Sequence, residues 1–318
     1  MRVLIVLLLL TSVAEARDAY IVSYGGYATT EVAVIRGRVG RGKPVVVRPG
    51  SGKATKVWAT TKAFFGRDVD HARLRIVAGG LAAPVVADDE GFFEARLRGP
   101  FTAGHRRFDL VLDQPGWRAE PLSLELDVVD PRSGYVIVTD IDDTIIETGV
   151  TGGKAKMVAR IAASDAYDIV AYEGAAEALS TFAAQGIPIV YLSASPVELA
   201  PRLTQFLALR GFPAGAIFLR HYEDDGAGDP TRYKRARFEK VLADFPGRKL
   251  ILFGDNGEKD PEIFSTLAKQ TGRVAIGYVR ATLKAGAGES RYADTRVFVT
   301  WPEVVAHARQ VGFLTSPP

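Results

Sequence analysis

Ten residues constrain this chain more than any others. Val136 to Ile145 read V-I-V-T-D-I-D-D-T-I, an apolar run that stops abruptly at Asp140-Ile141-Asp142-Asp143-Thr144. Side chains alternate along a strand, so Asp140 and Asp142 point the same way if the strand reaches them. Two carboxylates side by side at a strand end cost free energy unless positive charge sits between them. Mg²⁺ is the expected neutraliser, because it takes hard oxygen ligands and binds through one or two carboxylates.

The same strand opens a regular alternation. Strand-like runs at Tyr135–Thr139, Ile187–Leu192, Ala216–Leu219, Lys249–Phe253, Val274–Val279 and Val297–Thr300 alternate with helical runs. The helical runs are Gly174–Ala184, Pro196–Arg210, Tyr233–Asp244, Pro261–Lys269 and Pro302–Gln310. This order predicts an α/β fold over residues 135–318, a Rossmann-like doubly wound parallel sheet. Ligands of such sheets lie beyond the carboxyl ends of the strands. Those ends deliver Asp140, Asp142 and Thr144 from the first strand, Ser193 from the second and Gly254-Asp255 from the fourth, with Asp260 five residues on. Lys234 opens the helix before the fourth strand.

Several of these residues also fit plain structural roles. Asp142 and Asp143 suit a turn after a strand. Ser195-Pro196-Val197-Glu198 reads as a capping box with proline at the first helical position, which leaves Ser193 as the better phosphate ligand. Asp260 precedes Pro261 and fits an N-cap as well as a metal site. Lys234, Arg235 and Arg237 are all available as the phosphate partner.

Residues 17–130 carry a different pattern. Short runs at Glu31–Gly37, Lys43–Arg48, Ala72–Val77, Phe92–Leu97 and Phe108–Leu112 are separated by Gly- and Pro-containing turns. They predict a smaller all-β sandwich, with an Asp88-Asp89-Glu90-Gly91-Phe92-Phe93 turn resembling that of immunoglobulin-like and transthyretin-like modules. No catalytic constellation is visible there. Asp130-Pro131-Arg132-Ser133-Gly134 is the expected linker. Residues 1–16 read as a cleavable leader: Arg2, the apolar run Val3–Leu10, then Ala14-Glu15-Ala16. That leader predicts a secreted or periplasmic protein with cleavage near Ala16.

Composition closes off other classes. The net charge of +3 lacks the basic excess of a dedicated nucleic-acid binder. There is no cysteine, which excludes disulfides, thiolate metal sites and a cysteine nucleophile. The four histidines are scattered without zinc-ligand spacing, so zinc is not expected.

Taken in order, D-x-D-x-T, a strand ending in Ser193, Lys234 and G-D-x(4)-D resemble the four motifs of haloacid dehalogenase (HAD)-type phosphotransferases. Longer phrases narrow the resemblance. Tyr191-Leu192-Ser193-Ala194-Ser195-Pro196, Gly211-Phe212-Pro213-Ala214-Gly215 and Gly254-Asp255-Asn256-Gly257-Glu258-Lys259-Asp260-Pro261-Glu262-Ile263-Phe264 are similar to the catalytic domain of actin-patch-protein-type phosphatidate phosphatases. Asn256 stands where that family usually has Ser, and Ala194 where Asn or Gly is common. The resemblance covers about residues 135–280. It implies a Mg²⁺-dependent lipid phosphatase that converts phosphatidate to diacylglycerol. Asp140 is then the nucleophile and Asp142 the acid–base residue. Thr144, Ser193 and Lys234 are the phosphate contacts. Asp140, Asp142 through its carbonyl, Asp255 and Asp260 are the metal residues.

No large cap insertion follows Ser193, and about thirty residues separate Thr144 from the helix at Gly174. An uncapped site of this kind can face a membrane. Lys154–Ile161 reads as an ordinary core helix or as a basic amphipathic one near that opening. Arg220 and His221 follow a strand end and are candidates for headgroup contact. Two other functions stay open: a phosphatase for soluble or protein phosphomonoesters, and a binding or adhesion protein on a phosphatase-fold platform.

Overall fold

A computed structural model describes residues 16–44, 48–52, 54–56, 58–59, 68–148, 165–221, 229–282 and 290–315. The expected leader, all but residue 16, lies outside the described residues, as do Lys154–Ile161 and residues 45–47 of the Lys43–Arg48 run.

Residues 17–129 hold eight strands: β1 (Arg17–Thr29), β2 (Val32–Arg41), β3 (Arg73–Ala78), β4 (Leu81–Val86), β5 (Phe92–Arg98), β6 (Gly104–Leu112), β7 (Trp117–Arg118) and β8 (Leu122–Val129). The strands of the expected sandwich are linked edge to edge rather than split into two hydrogen-bonded sheets. Hydrogen bonds join all eight strands in one mixed sheet, in the order β4-β3-β6-β8-β1-β2-β5 with β7 on β1. The reason lies in β1. Its register with β2 shifts between Ser23 and Gly26, and Gly25 takes φ 79°. Such a bulge bends a strand. Beyond the bend, β1 reaches β8 at Ala28 and Thr29, while its start pairs with β7. Alternate residues such as Ala33, Ile35, Leu74, Ile76, Ala95, Phe108 and Leu110 fill one core against this sheet.

From Tyr135 the fold is α/β. Six parallel strands, β9 (Tyr135–Thr139), β10 (Ile189–Pro196), β11 (Gly215–Arg220), β12 (Lys249–Asp255), β13 (Val274–Arg280) and β14 (Thr295–Phe298), lie in the order β11-β10-β9-β12-β13-β14. The chain runs outward from β9 through β10 and β11, then restarts at β12 on the other side. The switch point therefore falls between β9 and β12, where open α/β sheets form their crevice. Among the described residues, four helices connect these strands, α1 (Ala175–Ala183), α2 (Ala200–Leu209), α3 (Pro230–Asp244) and α4 (Asp260–Thr271), and α5 (Trp301–Gln310) follows the last.

The helices form for local reasons. Helix α1 buries Ala175, Ala178, Leu179 and Phe182, a spacing that keeps one face on the sheet. Asp229 caps α3 by accepting from Thr231 N, with Pro230 as the first helical residue. Thr300 and Glu303 form a capping box on α5. Phe253 anchors the sheet core, stacked on Tyr278 at 5.1 Å and packed against Trp301 and Phe182.

The two sheets dock directly. Strand β1 runs so close to β11 that a Cβ on Gly25 would lie 1.9 Å from Gly215 O. Arg36 donates to Ile217 O at 3.0 Å and lies over the Phe218 ring. Tyr27 Oη donates to Asp244 Oδ2 at 2.6 Å, and Arg96 NH1 joins the same oxygen at 3.1 Å. Lys240 adds a bond to Glu94. The first sheet thus covers β11, which would otherwise expose an open edge. His221 is part of this joint and not of a headgroup contact. It sits 2.5 Å from Glu90 Oε2 and edge-on to Phe92, and Arg220 is likewise buried. The Asp88–Phe93 turn is therefore a docking element. Asp88 Oδ1 holds it by accepting from Glu90 N and Phe92 N.

Candidate active site

Strand β9 ends at Thr139, and Asp140 N donates to Phe253 O on β12 at 2.8 Å. The chain then folds into a tight loop in which Ile145 N and Ile146 N both donate to Ile141 O. Ile141, Ile145 and Ile146 are buried, and they pull the intervening polar residues into fixed positions. Asp143 is the turn residue of this loop, with φ 52° and its Oδ1 accepting from Thr148 N. Thr144 is fully buried and donates to Asp140 Oδ2 at 3.4 Å.

Strand β10 supplies two hydroxyls. Ser193 Oγ donates to Asp142 Oδ2 at 2.6 Å, and Ser195 Oγ donates to the same oxygen at 2.7 Å. The capping-box reading of Ser195 fails here. Pro196 ends the strand, a single turn at Val197–Leu199 follows, and α2 starts at Ala200 without a side-chain cap. Ser195 was legible by another signal: it lies two residues from Ser193, so an extended chain sends both hydroxyls the same way.

Helix α3 settles which cation enters. Lys234 Nζ is buried 2.9 Å from Asp140 Oδ1, 2.7 Å from Asp260 Oδ1 and 3.2 Å from Glu258 Oε2. Arg235 instead bonds Gln270, and Arg237 lies over the Tyr233 ring. Asp260 is the first residue of α4 and no N-cap; Lys259 holds that position. Its Oδ2 accepts from Asp255 N, and it packs against Gly254, where a Cβ would lie 2.3 Å away. Glycine before Asp255 is thus a space requirement. Asp255 Oδ1 accepts from Gly257 N at 2.6 Å and Glu258 N at 3.2 Å. Asp255 Oδ2 is buried with no hydrogen-bond partner among the described residues. Glu258, not singled out in the sequence, is the most exposed member of the group.

The charge balance is uneven. Asp140, Asp255 and Asp260 place carboxylate oxygens within 4.8 Å of one another. Burial pushes the Asp140 carboxyl well above its usual range, and Asp260 and Asp142 add to this against the pull of Lys234. Burial, reinforced by Asp260, raises Asp255 to about 7. Asp260 is raised by burial, with Lys234 opposing. Asp142 is raised by burial, against the two serine hydroxyls. Burial disfavours charge on Lys234, yet Asp140, Asp260 and Glu258 hold it well above the ordinary lysine range. One ammonium therefore faces an excess of carboxyls. An orphaned carboxylate oxygen beside two others, all hard donors, fits a divalent cation of the Mg²⁺ type. These residues can also bind an anion through Lys234, Ser193 and Thr144 once that cation offsets the negative charge.

Residues 135–281 match the family model for the phosphatidate phosphatase APP1 catalytic domain. A 172-residue stretch is 32% identical to the phosphatidate phosphatase APP1 of Saccharomyces cerevisiae, covering 52% of this chain and 29% of that protein. An uncharacterized protein of Schizosaccharomyces pombe is 28% identical over 199 residues, covering 61% of this chain and 32% of its own length. The chain thus spans under a third of the curated relatives it matches. A solved HAD family hydrolase of Deinococcus radiodurans R1, with bound phosphate and sodium, is 19% identical. It covers 58% of this chain and 99% of its own, at a TM-score of 0.38.

Proposed function

We propose, from the premise that residues 135–281 are a catalytic domain of the APP1 phosphatidate phosphatase type, that the chain hydrolyses phosphomonoesters with phosphatidate as the lipid substrate. The observation that carries this reading is the juxtaposition of Asp140, Lys234, Asp255 and Asp260 at the switch point, with Asp142 held two residues on. Asp140, Asp255 and Asp260, with the Asp142 carbonyl, are the residues that would hold Mg²⁺. When bound, the cation offsets carboxylate charge and so reduces repulsion between Asp140 and a phosphate dianion.

The protein's own groups do the rest. Asp140 attacks phosphorus; a bond from its carboxylate oxygen forms as the bond to the leaving oxygen breaks. Asp142 gives its proton to that leaving oxygen. Water then attacks phosphorus, Asp142 takes the proton from the water, and the Asp140–phosphorus bond breaks to return the free carboxylate. General acid–base help of this kind contributes roughly 10²–10⁴-fold. Ser193, Thr144 and Lys234 hold phosphoryl oxygens, and the buried ammonium stabilises the charge that develops on them. In the Lys234→Met variant the expected loss of kcat is about 10²-fold or more, by analogy with removal of one oxyanion donor.

Export by the leader at residues 1–16 and peripheral contact with a membrane are part of the same proposal. The reading of a phosphatase for soluble esters differs in substrate alone. Phosphate release from phosphatidate in mixed micelles and from a soluble aryl phosphate, each with Mg²⁺, separates them. Preference for the micellar lipid supports the lipid reading. Turnover of the aryl ester with none of phosphatidate rejects it. Turnover of neither favours the binding-protein alternative.

A further inference from the structure

The acid–base carboxyl has two hydroxyl donors on one oxygen, and the reaction leaves it only one. Ser193 Oγ and Ser195 Oγ both donate to Asp142 Oδ2, at 2.6 and 2.7 Å. Ser193 Oγ in turn accepts from Ser195 N at 2.9 Å. A serine hydroxyl has one proton to donate. If Ser193 gives it to a phosphoryl oxygen, as the phosphatase reading requires, Asp142 loses that partner when substrate enters.

The strand is built so that Ser195 stays. Strands β10 and β11 pair regularly through Leu192 and Phe218, then resume at Pro196 and Arg220. Four steps on β10 thus face two on β11, and the surplus lies at Ser193–Ser195. Irregularities of this kind re-aim side chains beside active sites. Pro196 next to Ser195 has a fixed φ and leads straight into the buried turn Val197–Leu199, which anchors the segment.

We propose that Ser195 is the positioning residue for proton transfer: it holds Asp142 Oδ2 throughout the reaction and leaves Oδ1 to give and take the proton. In the first half, Oδ1 gives its proton to the oxygen leaving phosphorus. In the second, it takes one from the attacking water. Ser193 and Ser195 therefore divide the labour, one on the phosphate and one on the acid. This rests on the phosphatase reading given above.

The leaving group makes the idea testable. An alkoxide needs a proton as its bond to phosphorus breaks, whereas an acidic phenolate needs far less help. A loosened Asp142 therefore hurts alkyl esters more than aryl esters. The experiment uses the full chain with saturating Mg²⁺, wild type beside Ser195→Ala, Ser195→Thr and Ser193→Ala. The substrates are a short-chain phosphatidate and p-nitrophenyl phosphate. Ser195→Ala is expected to lower kcat/KM, which reports expulsion of the leaving group, by about 10–100-fold on phosphatidate and by only a few fold on the aryl ester, while hydrolysis of the shared intermediate slows alike for both. Ser195→Thr, which keeps the hydroxyl, is expected to recover most of the alkyl rate. Ser193→Ala is expected to raise KM on both substrates. Equal loss of kcat/KM on the two esters after Ser195→Ala, or a loss of kcat/KM carried wholly by KM with kcat unchanged, overturns the proposal. The alkyl-to-aryl ratio is internal to each preparation, so partial unfolding lowers both rates alike and does not mimic the effect. If wild type turns over neither ester, the phosphatase reading itself fails; if wild type is active and the ratio is unmoved, only the role of Ser195 fails.

Discussion

Asp255 shows how far a single residue carries the account. Its Oδ1 is tied to two backbone amides, while Oδ2 is buried with no partner among the described residues. Burial raises its pKa to about 7. A carboxyl raised in the folded state binds its proton more tightly there than in the unfolded chain. Its contribution to stability is therefore full below about pH 4 and lost as pH rises through about 7. Asp255→Asn keeps the Oδ1 acceptor and removes the charge. In metal-free protein the variant is expected to melt with wild type near pH 4 and above it at pH 8, by roughly 2–4 °C per kcal/mol gained. Mg²⁺ is expected to raise the wild-type melting temperature at pH 8 and to leave the variant nearly unmoved. A variant that melts below wild type at every pH, or a cation that raises both alike, contradicts the assignment. The residue scale was also where the sequence was most legible. Asp140, Asp142, Thr144, Ser193, Lys234, Asp255 and Asp260 meet at one end of the sheet because each follows a strand or opens a helix there. Ser195 was hidden by its own local pattern, since Ser-Pro-x-Glu satisfies a capping rule that the structure does not use. The choice among Lys234, Arg235 and Arg237 depended on helix phase against the sheet, which three adjacent cations do not reveal.

At the scale of elements, the α/β strands and helices were readable because buried parallel strands are plain apolar runs closed by glycine or polar ends. The first sheet was not. Its β1 carries a bulge that interrupts the alternation, β4 is broken by Pro84, and β7 is only two residues long. What turned two expected sheets into one was the bend at Ser23–Gly26, a feature of pairing rather than of composition. The same bend brings Gly25 onto Gly215. Gly25→Ala puts a Cβ into that backbone and into a positive-φ position at once. The expected cost is about 2–4 kcal/mol, from overpacking plus backbone strain, read as a fall in the denaturation midpoint. A neutral outcome would show that β1 does not seat on β11 as closely as described. Asp244, which joins Tyr27 and Arg96, offers a second test at this scale. Asp244→Ala removes a buried partner from both and is expected to cost about 1–3 kcal/mol.

At the scale of the whole molecule, the first sheet acts as a buttress for the catalytic one. It covers the β11 edge, and Tyr24 and Phe92 share an apolar cluster with Ile189, Ile217 and Leu219 of the α/β sheet. Glu90 and His221 join the two sheets at the carboxyl end, one strand away from Ser195. Lys56, from the first part, also reaches Asp165 and Asp168 on the far side of the D-x-D-x-T loop. Parts so joined are expected to unfold together, in one calorimetric transition; two well-separated transitions contradict this. No helix among the described residues is long and apolar enough to cross a membrane. On the proposed function, this buttressed site cleaves phosphomonoesters through Asp140 with Mg²⁺. The most direct test is phosphate release from phosphatidate by wild type and a folded Asp140→Asn variant, with Mg²⁺ and with excess chelator. Release is expected from wild type with Mg²⁺ and not in the other three conditions, while full activity in Asp140→Asn, or undiminished wild-type activity in chelator, would rule this mechanism out.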